Sequence, residues 1–176
     1  MIKKILTAFG ALIIVFLVIV AFQPSDYVVV RSASIPGSLE TVFNQVNDFH
    51  KWQAWSPWAK LDPAAKNSFE GPAAGTGSAF AWSGNSKIGE GRMAITESHT
   101  NDLVRIKLDF VKPFPSTANT EFTFKPDANQ TLVTWSMAGH KNFISKAFCL
   151  FMNMDKMVGG DFERGLANLR SITQNL

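Results

Sequence analysis

Asp48-Phe49-His50-Lys51-Trp52-Gln53-Ala54-Trp55-Ser56-Pro57-Trp58 holds three of the chain's five tryptophans. Each indole carries one polar N–H on a large apolar body. A run of this kind either plugs a hydrophobic core or lines an opening for an apolar ligand. The residues just before it are helical. Leu39, Val42, Phe43 and Val46 recur at helical spacing behind Ser38, which is suited to cap a helix over residues 39–46. A second short helical turn is expected from Asp48 through Trp52, with Asp48 and His50 in capping or packing roles. Pro57 and Pro63 bound an irregular segment that contains Trp58.

Outward from this run the periodicity changes. Residues 27–34 are rich in β-branched side chains and read as a strand that Pro36-Gly37 ends. From about residue 67 to 139 the period is two. Phe80 pairs with Trp82, Met93 with Ile95, and Val104, Ile106, Leu108 and Phe110 share one parity. Phe122 and Phe124, then Val133, Trp135 and Met137, continue the alternation. Such alternation marks strands with one wet face and one apolar face. Turn signals at Ser83-Gly84-Asn85, Asn101-Asp102, Lys112-Pro113-Phe114-Pro115 and Pro126-Asp127-Ala128-Asn129 separate them by short links, which implies an antiparallel meander.

Near the C-terminus the period is helical again. A helix starting at Asn142 or Ser145 is expected to run nearly to the end of the chain. Phe151, Met154, Val158, Phe162, Leu166, Leu169 and Ile172 form its apolar stripe. Gly159-Gly160 inside it marks a kink, a break or a close approach to the sheet. A curved sheet with one apolar face needs a cover, and this helix can supply it. The space between them would be lined by Trp82, Ile106, Leu108, Phe110, Phe122, Phe124, Trp135, Met137, Met154, Val158 and Phe162.

Residues 5–22 are free of charge and follow Lys3 and Lys4. As a helix they would span about 27 Å, close to the hydrocarbon thickness of a bilayer. The alternatives are a cleaved signal, against which the length of the run and the poor Ile19-Val20-Ala21 cleavage site speak, and a buried helix. The two lysines place the N-terminus in the cytoplasm and the rest of the chain across the membrane, periplasmic or extracellular. The expected organisation is an anchor at 1–23, a linker at 24–26 and one domain at 27–176.

Charged residues are only 18% of the chain, and Lys3 and Lys4 supply two of its +3 net charges. The remaining basic residues are scattered, which gives nucleic-acid binding no support. The single cysteine, Cys149, lies in the apolar run Phe148-Cys149-Leu150-Phe151 and reads as a buried small hydrophobe. No Cys/His spacing suits a metal, and no cofactor is expected. Gly75-x-Gly77 and Gly89-x-Gly91 precede strands rather than helices, so they read as turn or bulge glycines and not phosphate loops. Met152, Met154 and Met157 could form either an adaptable lipophilic surface or core.

The order of elements, with Val46-Asn47-Asp48-Phe49, Trp55-Ser56-Pro57-Trp58, Asp62-Pro63, Gly75-Thr76-Gly77, Gly89-Glu90-Gly91, Val133-Thr134-Trp135-Ser136-Met137 and the run from Gly160 through Leu169, resembles the SRPBCC superfamily. It is most similar to the polyketide cyclase/dehydrase and lipid-transport group, including bacterial members with an N-terminal membrane segment. The resemblance covers residues 27–176. It implies an α+β helix-grip fold: a curved antiparallel sheet wrapped around a long C-terminal helix, enclosing a hydrophobic cavity, here preceded by one transmembrane helix. With that segment it implies a single-pass protein of the bacterial inner membrane.

A cyclase or dehydratase needs a general acid or base in an apolar pocket. The candidates are Glu70, Glu90, Arg92, Glu97, His99, Asp109, Glu121 and His140. Alternation puts Glu90, Arg92, Asp109 and Glu121 on the wet face, and His99 and His140 near strand ends. No catalytic constellation emerges. The leading expectation is a membrane-anchored protein that binds a lipid- or polyketide-like hydrophobic molecule. The alternatives are an enzyme using the same cavity, or an interaction protein with a filled core.

Overall fold

The computed structural model describes residues 1–174, so the last two residues of the expected domain, 175 and 176, lie outside the description. An apolar helix α1 (Ile2–Ala21) leads into β1 (Asp26–Pro36). Then follow α2 (Leu39–Val46), a 3-10 turn (Phe49–Lys51) and the single-turn α3 (Trp52–Trp55). Six strands come next: β2 (Lys66–Glu70), β3 (Ala79–Ser83), β4 (Glu90–His99), β5 (Leu103–Lys112), β6 (Ser116–Asp127) and β7 (Gln130–His140). The chain closes with α4 (Phe143–Cys149) and α5 (Met154–Thr173).

The seven strands form one antiparallel sheet in the order β1-β7-β6-β5-β4-β3-β2. Each strand from β2 to β7 pairs with its neighbour in sequence, as the short turns require, and β1 returns to the free edge of β7. The apolar parity of β1 and of β3 to β7 faces α2, α3 and α5 to form the core, while β2 is exposed along its length. The expected caps are in place. Ser38 Oγ accepts from Thr41 N at 3.1 Å, and Asp48 Oδ1 accepts from His50 N at 2.9 Å. Gly75, Gly77 and Gly89 adopt positive φ, and the β4–β5 register shifts between Glu90 and Gly91, so these glycines serve turns and a bulge.

The C-terminal helix differs from expectation. It is broken at residues 150–153, where Asn153 accepts from Lys156 N at 2.9 Å and caps a new helix. The apolar stripe continues across this cap, which hides the break from a periodicity reading. Phe151, the expected first residue of the stripe, is exposed, and Cys149 is half-buried rather than core. Gly159-Gly160 lies within unbroken helix. A Cβ on Gly159 would sit 2.0 Å from Arg31 Nη2, which makes this residue a point of close approach to β1, whereas a Cβ on Gly160 would meet nothing within 4 Å.

The tryptophan run is divided between two tasks. Trp52 Nε1 donates to the Val46 carbonyl at 2.8 Å and Trp55 Nε1 to the Gln45 carbonyl at 3.0 Å, which pins α3 beneath the end of α2. Trp55 is fully buried, and its own carbonyl accepts from Asn168 Nδ2 on α5 at 3.0 Å. Trp58 lies edge-on to Trp135, with ring centroids 6.0 Å apart.

Candidate functional site

Between the sheet and the helices lies a cavity of about 310 Å³. Small-molecule sites typically occupy about 300–1,000 Å³, so it is large enough to hold a ligand. Its floor is the inner face of β3 to β7: Phe80, Trp82, Met93, Ile106, Leu108, Phe110, Thr120, Trp135 and Met137. These residues reach it because strand parity turns them inward. Phe162 on α5 and Trp52 on α3 form the opposite wall. The rim comes from three connections: the segment from Ser56 to Ala65, the β3–β4 loop with Lys87 and Ile88, and Lys112-Pro113 at the β5–β6 turn.

Side-chain anchors hold the rim loops together. Asp62 Oδ2 accepts from Asn85 N at 2.7 Å, and its Oδ1 accepts from Ala64 N at 3.1 Å. Trp82 Nε1 donates to the Ile88 carbonyl at 3.0 Å, which ties the β3–β4 loop to the floor. The benzo edge of Trp82 lies over Gly91, where a Cβ would meet Cζ2 at 2.5 Å. Trp135 is packed most tightly. Phe162 stacks on it at 4.0 Å and 9°, and Phe122 at 4.7 Å and 29°.

Of the residues expected to line the cavity, Trp82, Ile106, Leu108, Phe110, Trp135, Met137 and Phe162 stand on its surface. Phe122, Phe124, Met154 and Val158 do not. Phe122 is sealed behind Trp52, Trp55 and Trp135, and Phe124 packs edge-on to Phe43 on α2 at 5.5 Å. Met154 and Val158 are half-buried against the core, and Met154 faces a separate groove beside Tyr27. The reason is positional. Parity fixes which face a side chain takes but not how far along the sheet the cavity extends, and α2 and α3 fill one end of the grip. Sequence reasoning missed Phe80, Met93 and Thr120, whose parity was the available signal, and the rim residues, for which the turns gave none.

The interior holds few polar groups. Thr120 is buried on the cavity wall, and the buried Trp135 Nε1 has no hydrogen-bond partner among the described residues. The charged groups lining the cavity are Asp62, Lys87 and Lys112, all on the rim. Lys112 Nζ is paired with Glu90 at 2.7 Å.

The other candidate acids and bases lie on the outer face. Arg105 bridges Glu97 and Glu121, Arg92 pairs with Glu70 at 3.1 Å, and His99 meets Glu97 at 3.1 Å. His140 pairs with Asp26 at 2.9 Å. The Thr117 hydroxyl at 2.7 Å, with help from Lys107, holds the Asp109 carboxyl below its usual range. The His50 ring stacks on Phe69 at 4.1 Å and bonds Asp48 at 2.9 Å.

One inward cation was missed. Arg31 shares the parity of Val29 and Ile35 on β1 and reaches beneath the first turns of α5. It binds Asp155 through two nitrogens at 3.0 Å, Glu163 at 2.6 Å and the Asp155 carbonyl at 3.1 Å. These partners raise its pKa further, with the Asp155 bonds foremost. It fastens the helix to the sheet edge and does not line the cavity.

The arrangement can enclose an apolar body, order it by shape and offer it the Thr120 hydroxyl within and those of Ser56 and Ser86 at the rim. Comparisons with known proteins agree with this fold. A search of curated protein sequences finds no match. Among solved structures, a protein from Rhizobium leguminosarum superposes with a TM-score of 0.63 at 11% identity, covering 86% of this chain and 96% of that one. Protein CV1439 from Chromobacterium violaceum gives a TM-score of 0.58 at 13% identity, over 86% of this chain and 98% of its own. DynU16, from the dynemicin biosynthetic locus, gives 0.53 at 17% identity, over 80% of this chain and 45% of its own. The family profile for polyketide cyclase/dehydrase and lipid transport matches residues 27–173, and with the curved sheet gripping α5 this shows that the chain belongs to that family.

Proposed function

We propose that this protein is a membrane-anchored carrier that holds a hydrophobic small molecule, lipid-like or polyketide-like, in the cavity between the sheet and α5. The observation that carries this reading is a cavity of about 310 Å³ with apolar walls and, among the described residues, charged groups only on its rim. Affinity would come from apolar burial, at about 25 cal/mol per Å². Specificity would come from length and shape, because the walls offer few hydrogen bonds to select on. A cyclase reading would need an ionisable group aimed into the interior. The carboxylate nearest to that role, Asp62, sits on the rim with both oxygens bonded to backbone amides.

The anchor is α1, long and apolar enough to cross a membrane. At about 1.5 Å per residue its 20 residues span about 30 Å. Lys3 and Lys4 support a cytoplasmic N-terminus, with the domain on the far side of a bacterial inner membrane. A brominated lipophile titrated into the full chain in detergent tests the carrier reading. Trp52, Trp58, Trp82 and Trp135 all line the cavity. Saturable tryptophan quenching at one ligand per chain supports the reading, and quenching that only tracks probe concentration refutes it.

A further inference from the structure

The family fold accounts for the cavity but not for the surface beside it. Phe143, Ile144, Phe148 and Phe151 all stand exposed on α4 and the turn after it, Phe151 at 80% and Ile144 at 57%. On the α4 helical wheel Phe143, Ile144 and Phe148 share an arc of roughly 140°, with Ser145 and Lys146 outside it. An apolar face of this kind on a soluble surface marks a contact with something apolar. Phe114, at the β5–β6 turn, extends it by packing on Phe148 at 5.9 Å.

The position of α1 identifies what covers this face. Phe151 stacks on Phe16 of α1 at 6.4 Å. Lys146 Nζ donates to the carbonyl of Ala21, the last residue of α1, at 3.5 Å. The Ser25 carbonyl accepts from Lys141 N at 2.8 Å, so four residues at most about 14 Å long connect α1 to the point where α4 begins. Phe16 lies five residues before Ala21, or about 7–8 Å back along the helix axis. Phe151 therefore stands at that depth below the end of α1. Helices that lie in a bilayer interface bury their apolar face by about 5–10 Å.

We propose that α4 and the turn after it form a membrane-docking surface, which inserts Ile144, Phe148 and Phe151 into the lipid leaflet where α1 ends. This rests on α1 being a membrane anchor. Lys141 and Lys146 then lie at the level of the lipid headgroups. Docking also sets the cavity against the bilayer, because Phe114 directly follows Pro113 on the cavity rim. A lipophile can pass between leaflet and cavity along Phe148, Phe114 and Pro113 with little exposure to water.

The test is site-directed spin labelling of the full chain in phosphatidylcholine/phosphatidylglycerol nanodiscs. Single cysteines are placed by Phe151→Cys, Ile144→Cys, Leu12→Cys and Lys125→Cys in a Cys149→Ser background. Each label is read by its collisions with oxygen, which concentrates in lipid, and with a water-soluble nickel complex. Tryptophan emission checks that each variant is folded, and the two α4 positions read the surface independently. The expected result is an oxygen-to-nickel ratio several-fold higher at 144 and 151 than at 125, approaching that at 12. Water-like ratios at 144 and 151 with a lipid-like ratio at 12 overturn the docking surface and leave the anchor standing. Protection from both agents at 144 and 151 means that protein, such as a second copy of the chain, covers the face, and also overturns it. A water-like ratio at 12 overturns the anchor and the docking surface together.

Discussion

Gly165→Ala and Gly160→Ala, made separately, should have opposite effects on stability. Both glycines lie inside α5, so each substitution gains about 1 kcal/mol of helix propensity. They differ in what the new methyl meets. At Gly160 it meets nothing within 4 Å. At Gly165 it sits 2.7 Å from Trp135 Cζ3 and 3.2 Å from Pro57 Cδ. Trp135 is held against the new methyl by its stacking on Phe122 and Phe162 and by Trp55, edge-on at 5.8 Å. Overpacking of this kind costs about 1–3 kcal/mol. The propensity gain cancels between the two variants, so they should differ by about 1–3 kcal/mol, with Gly160→Ala about 1 kcal/mol above the parent. For a domain of this size that separates their melting temperatures by about 2–12 °C. Tryptophan-fluorescence melting of the full chain in detergent reads the difference directly. If Gly165→Ala melts at or above Gly160→Ala, α5 does not close on Trp135 as described, and the cavity wall built from Trp135 and Phe162 is wrong.

Three further outcomes follow from the same geometry. Across a homologous series of saturated ligands that fit the cavity, Kd should fall about fourfold per methylene, from about 0.8 kcal/mol each, and then level off once the cavity is full; a competition titration showing no length dependence would contradict apolar filling. Trp55→Phe removes the indole donor from the part-buried Gln45 carbonyl and trims a fully buried side chain, and should cost about 2 kcal/mol or more, whereas Trp58→Phe, on the rim, should leave the melting temperature nearly unchanged and weaken ligand binding; the reverse pattern would mean that their roles have been exchanged. Tyr27 is the chain's one tyrosine, so alkaline absorbance titration reads it alone. Burial, then the charge of Cys149, raises its pKa above the ordinary phenol value. The linked stability is intact below about pH 10 and is lost as pH climbs through the folded-state value; a midpoint at or below the ordinary value would contradict the burial.

Much of this architecture was legible in the residues. Alternation at Phe80-x-Trp82, Ile106-x-Leu108-x-Phe110 and Val133-x-Trp135-x-Met137 gave the strands and their inner faces, because side-chain direction in a strand is set by parity alone. The Trp55-Ser56-Pro57-Trp58 run pointed to the family but left core and opening undecided. The structure divides it, with Trp55 in the core, Trp58 on the cavity rim and Trp52 serving both. The break before Met154 was hidden because Phe151 keeps the helical spacing while facing outward. Phe124 lies off the cavity because α2 fills that end of the grip, a long-range property that local periodicity does not record. Arg31 was missed for a related reason: an arginine at an inward parity is unremarkable until Asp155 and Glu163, more than a hundred residues later, close over it.

The central claim is that the cavity holds a hydrophobic molecule, and native mass spectrometry of the full chain released from nanodiscs tests it most directly. A single lipophilic adduct per chain is expected, retained at collision energies that strip loosely bound lipid and displaced by excess of a competing lipophile. Bare chain mass in every preparation, with no adduct after excess lipophile is added, would contradict the account.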